Sequence, residues 1–126
     1  MVEPLFQISV GLDGSLDERI TGLVVQRLRL YDVASPVFRA AIACAGSIPV
    51  IAERVQNRRT LLARQVRELF EAELTELGDR GPEIEAAVDA LAEFESIDHL
   101  RRFRGLDDDA VSAVLGRVLH ALLRPT

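Results

Sequence analysis

The chain has 126 residues, of which 48% are hydrophobic and 28% charged, and a net charge of −5. The length fits one domain, and the composition excludes a disordered chain. The acidic balance argues against a free-standing DNA- or RNA-binding domain, and a single cysteine excludes an internal disulfide framework and a Cys-cluster zinc site.

No run of eighteen apolar residues is present, so no membrane-spanning helix is expected. The N-terminus lacks a basic segment followed by an apolar one, so no signal peptide is expected either. A cytoplasmic location follows as the expectation. All fifteen basic residues are Arg, and Ala, Leu, Val, Glu and Arg together fill more than half the chain. That composition favours helices.

Residues 1–14 read as an irregular N-terminal arm carrying Leu5, Phe6, Ile8 and Val10. The first helix is expected over Leu16–Val33. Ser15 and Glu18 form a capping box at its start, and Ile20, Leu23, Val24, Leu28 and Tyr31 recur at helical spacing. Ser35 caps a short second helix with Pro36 in its first turn and an apolar side of Val37, Phe38, Ala41, Ile42 and Ala45. Gly46 suits its end.

A long third helix is expected over Pro49–Leu77, with Ile51, Val55, Leu62, Val66, Leu69, Phe70 and Leu74 on its apolar positions. A fourth runs over Pro82–Phe103, with acids at its start, Arg at its end and Gly105 as its C-cap. Asp107 caps the fifth, Asp108–Leu123, and Pro125 closes the chain. The fold class expected is all-α, a bundle of about five helices in a single domain.

The fifth helix has an apolar face wider than one stripe, since Val111, Val114, Leu115 and Val118 are followed by Leu119, Leu122 and Leu123. A terminal helix covering only its own core needs less, so the excess points to a second copy of the chain. The alternative is a helix lying centrally in the core of one subunit.

Chemical motifs are sparse. His99 and His120 lie on different helices without another ligand at metal spacing, and Cys44 stands on an apolar helix beside Ala43 and Ala45. The Asp107-Asp108-Asp109 run splays around a helix start, where capping accounts for it. Glu68, Glu71 and Glu85 lack the Glu-x-x-His of a bundle metal centre, and Gly11-Leu12-Asp13-Gly14 lacks a phosphate-loop Lys. No catalytic residue, metal ligand or cofactor is assigned. Arg54, Arg58, Arg59, Arg64 and Arg67 interleave with Glu and read as a solvated face.

Two stretches carry a resemblance. Arg27-Leu28-Arg29-Leu30-Tyr31-Asp32-Val33-Ala34-Ser35-Pro36-Val37-Phe38-Arg39-Ala40-Ala41 resembles a core-helix segment of the TetR family of transcriptional regulators. Ala90-Leu91, Phe94-Glu95-Ser96-Ile97-Asp98-His99-Leu100-Arg101-Arg102 and Gly105-Leu106 resemble that family's penultimate helix and the turn into its last. With helices in the same order, the resemblance covers about residues 15–123. The three-helix DNA-binding domain that opens such chains has no counterpart here. The resemblance therefore implies the C-terminal regulatory domain of a repressor, which contacts DNA only through an N-terminal domain absent from this sequence.

Such domains dimerise through their last two helices as a four-helix bundle and enclose a small-ligand pocket among earlier ones. The implied pocket walls are Leu23, Arg27, Tyr31, Phe38 and Ile42, continued by Ile51, Val55, Leu62 and Phe70, with a small apolar ligand as the expected guest. Arg27 and Tyr31 are the polar groups that would orient it. Periodicity does not separate a cavity wall from a filled core. The expected homodimer interface is Leu91, Phe94 and Glu95 with Val111, Val114, Leu115, Val118, Leu119 and Leu122. The alternative function is a ligand-free helical homodimerisation or protein-interaction module.

Overall fold

The computed structural model describes residues 7–8 and 11–124. The arm residues Leu5, Phe6 and Val10 and the closing Pro125 lie outside the described residues. Within them all regular structure is helical: α1 (Leu16–Cys44), α2 (Pro49–Leu69), α3 (Glu71–Glu76), a 3-10 turn (Gly78–Arg80), α4 (Gly81–Leu91), α5 (Phe94–Asp98), a π turn (His99–Phe103) and α6 (Asp108–Leu123).

α1 starts as the sequence requires. The Ser15 hydroxyl accepts from the Glu18 N–H at 3.1 Å, and the Ser15 N–H donates to the Glu18 carboxylate at 2.8 Å. It does not stop at Val33. The two expected helices are one, with Pro36 inside it and Ser35 capping nothing. Proline fits helical φ but has no N–H to give the Asp32 carbonyl. Tyr31 and Phe38, both buried, hold the helix on either side of that lost bond, so packing overrides the local preference.

The long helices expected after Pro49 and Pro82 are each broken. α2 ends at Leu69, and Phe70 adopts φ −114°, ψ 22° before α3 begins. That break allows Leu69, Phe70 and Leu74 all to be buried. α4 ends at Leu91, and Glu93 takes an extended conformation with no side-chain cap before α5. α5 passes into the π turn, where the Arg104 N–H donates to the His99 carbonyl at 3.0 Å. Gly105, at φ +70°, then lets the Leu106 N–H return to the Leu100 carbonyl. α6 matches its expected bounds, with Asp107 accepting from the Ala110 N–H at 2.8 Å.

α1 is the central helix and packs against α6, α2 and α5, while α4 closes on α2 and α6. Leu23, Val66, Phe70, Val88, Val111, Leu119 and Leu123 form the fully buried centre. Arg19 enters this core fully hydrogen-bonded. Its guanidinium donates to the Gly14 and Leu69 carbonyls and in a fork to Glu73 at 2.7 and 2.6 Å. No residue between Arg39 and Leu61 is buried, so the end of α1 and the start of α2 form a hairpin arm beyond the core.

Candidate functional site

A cavity of about 30 Å³ lies where α1, α2 and the α4–α5 break meet. α1 supplies Arg27, Leu30, Tyr31 and Phe38; α2 supplies Arg58, Arg59 and Leu62; the break supplies Ala92, Glu93, Phe94 and Ile97. A volume of this size accommodates a water-sized guest. It is small because rings fill the rest. Phe94 stacks on Phe38 at 4.9 Å and 19°, and meets Tyr31 at 5.3 Å. The Arg58 guanidinium lies 4.9 Å over the Phe38 ring.

The polar side of the cavity is built around Arg27. Its Nη1 donates to Gln26 at 2.7 Å and Gln65 at 2.9 Å, and its Nη2 to the Leu62 carbonyl at 3.1 Å. Burial lowers its pKa to about 10, against the pull of Asp89 and Glu93. Those two carboxyls are themselves pushed up by burial. Arg59 crosses the cavity edge to Glu95 at 2.5 Å and Glu93 at 4.0 Å.

Tyr31 joins the cavity to the next helix. Its hydroxyl donates to Asp98 at 2.7 Å, and Arg39 donates to the same carboxylate oxygen at 2.9 Å. Burial pushes the Tyr31 phenol up, and the bond to Asp98 adds to it. At Asp98 burial also pushes upward, but donation from Tyr31 and Arg39 outweighs it and holds the carboxyl low. Arg101, in the π turn, sits 5.8 Å over the Tyr31 ring and pairs with Asp108 at the start of α6.

Four of the nine expected pocket residues, Arg27, Tyr31, Phe38 and Leu62, line this cavity. Leu23 and Phe70 do not, because both are fully buried in the main core. Ile42, Ile51 and Val55 do not either: they are half-buried on the hairpin arm. Phe94 moves the other way. Read as an interface residue, it plugs the cavity, because the break at Ala92-Glu93 resets the helical phase after α4.

A second depression, of about 330 Å³, lies on the other side of α5. Leu91, Glu95, Ser96, His99, Leu100, Val114, Leu115 and Val118 line it. Five of the nine expected interface residues are therefore in one groove. Val111 and Leu119 are correctly on α6 but fully inside the subunit, where no second copy reaches them, and Leu115 is 2% exposed. Leu122 is half-buried and packs on the core. The wide face of α6 thus splits, one stripe inward and one, Val114 and Val118, outward.

Among the described residues no group of three His, Cys, Asp or Glu side chains is arranged to hold a metal ion, and no helix is long and apolar enough to cross a membrane. Compared with protein-family models, curated proteins and solved structures, the chain matches none of them.

Proposed function

We propose that the chain is the small-molecule-sensing and dimerisation domain of a TetR-like transcriptional repressor, with DNA contacts made by a separate N-terminal domain. The observation that supports this reading is a convergence. The two stretches that resemble the family, far apart in sequence, wall the same cavity: Arg27, Leu30, Tyr31 and Phe38 from one, Phe94 and Ile97 from the other. The same α5 turns Glu95 and Ser96 toward the outer groove. A single element thereby borders both the cavity and the outer groove, which is the arrangement a sensor needs if a guest is to alter a dimer.

The small cavity volume favours the second reading, a helical homodimer with no ligand. Two measurements on the intact chain separate them. Light scattering after size exclusion gives the mass in solution, and a dimer is expected under both readings. Thermal unfolding against a panel of small apolar compounds is expected to show a rise in Tm for binders, since a guest that favours the folded state raises its stability by mass action. A dimer with no shift for any compound supports the interaction module instead, and a monomer overturns both.

A further inference from the structure

The cavity is chemically lopsided. Arg27 is 4% exposed, yet its hydrogen-bond acceptors are all neutral: two glutamine side chains and one carbonyl. No ion pair joins it to a carboxylate among the described residues, and Asp89 and Glu93 act on it only through space. Its Nε has no hydrogen-bond partner; the Nε of Arg59, at the same cavity, makes no hydrogen bond either but faces the Glu93 carboxylate at 4.0 Å. The orphaned Arg27 donor is costly, because a buried donor forfeits its hydration without replacement. With a pKa of about 10, Arg27 still carries its charge at neutral pH. The facing surface is apolar: Leu30, Ala92 and Ile97 with the rings of Tyr31, Phe38 and Phe94.

Resting on the pocket reading above, we infer that this site takes an apolar or aromatic monocarboxylate, its head group against Arg27 and Arg59 and its body in the space that the Phe38–Phe94 stack now fills. A flat carboxylate matches the guanidinium fork and gives the orphaned Arg27 donor an acceptor, with the Arg59 charge at the same cavity. One negative charge offsets Arg27, the one buried cation without a direct counterion among the described residues, while Glu93 at the same cavity opposes a dianion. Occupancy by such a guest requires the aromatic plug to move. Phe94 opens α5 directly after the extended, uncapped Glu93, and Phe38 stands two residues beyond Pro36, where α1 is missing a backbone hydrogen bond. Swinging one ring outward frees a volume the size of a phenyl group beside the existing cavity.

The test uses matched pairs, octanoate against 1-octanol and 3-phenylpropanoate against 3-phenylpropanol, with calorimetry and thermal unfolding of the whole chain. Each acid is expected to bind at least about tenfold tighter than its alcohol, the scale of a charge-assisted hydrogen bond. Arg27→Gln is expected to abolish that preference and Arg27→Lys to keep part of it, with helicity checked by circular dichroism. Should Arg27→Gln fail to fold, Arg59→Gln, at a more exposed side chain, is expected to narrow the acid–alcohol ratio several-fold. Alcohols binding as well as acids would overturn the carboxylate class and leave the sensor reading standing. Acids that bind with their preference unchanged in the folded Arg27 or Arg59 variants would overturn the site. No shift with acid or alcohol would overturn the monocarboxylate assignment, while the wider compound panel decides the sensor reading separately.

Discussion

Arg19 and Arg27 are both buried guanidiniums on α1, two turns apart, and they are satisfied in opposite ways. Arg19 has a carboxylate partner in a fork and two carbonyls; Arg27 has amides and a carbonyl and one idle N–H. The Arg19 pair is a structural tie, and its pH response is readable. The fork from Arg19 holds the Glu73 carboxyl below its usual 4.5. The folded state thus favours the charged form, so the stabilisation is complete above the unfolded-state value and is lost as pH falls through the lower folded value. Glu73→Gln is expected to be less stable than the parent at neutral pH, with the gap closing below about pH 4. Urea titrations of both proteins across that range check it. The raised Asp89 and Glu93 respond in the reverse sense, but they are common to both proteins and cancel in the comparison. At Tyr31 the loss is smaller. Tyr31→Phe removes one donor from Asp98 while Arg39 stays, so a cost of about 1 kcal/mol is expected in denaturant unfolding.

The helices show which signals survive in a sequence. Starts and stops with their own chemistry were legible: the Ser15–Glu18 box, Pro49, Gly105 and Asp107 all stand where their side chains dictate. The breaks at Phe70 and at Ala92-Glu93 were not. Neither contains a residue hostile to helix; both exist because continuing the helix would carry buried side chains off the core, which is a property of the partner helices rather than of the local string. Phe94 was misread for that reason, and with it the tight filling of the cavity. Pro36 erred in the opposite direction, since packing of Tyr31 and Phe38 carried α1 through a signal that reads as a boundary. Pro36→Ala restores a donor to the Asp32 carbonyl and is expected to raise stability by about 2 kcal/mol, less any entropy returned to the unfolded chain. The join between α3 and α4 has no such slack. A Cβ on Gly81 would fall 2.5 Å from the Leu74 carbonyl oxygen, so Gly81→Ala forces the two helices apart and is expected to cost about 1–3 kcal/mol in the same assay.

At the scale of the molecule, the all-α class followed from periodicity, whereas the division of α6 between core and surface did not: Val111, Leu115 and Leu119, expected at the interface, lie inside the subunit. Periodicity marks apolar positions without saying which neighbour covers them. The division sets the choice of probe for dimerisation. Leu115 and Leu119 belong to the subunit core, and a charge there is expected to unfold the chain rather than dissociate it. Val114 and Val118, 38% and 37% exposed, are the informative positions. The double variant Val114→Glu, Val118→Glu is expected to retain its helical circular dichroism and to elute at half the parent's mass if two copies meet across α6, with light scattering as the measurement.

One helix therefore belongs to two regimes. From Leu16 to Phe38, α1 is clamped by neighbours; from Arg39 to Cys44, and on through the opening turns of α2, nothing is buried. Backbone amides along a single continuous helix should then exchange deuterium in two populations, slow ones released only by global opening and fast ones released by fraying of the arm. The boundary between those rates falls at Phe38, on the ring stack itself, so any guest that wedges between Phe38 and Phe94 would be recorded as a step in protection travelling toward the tip.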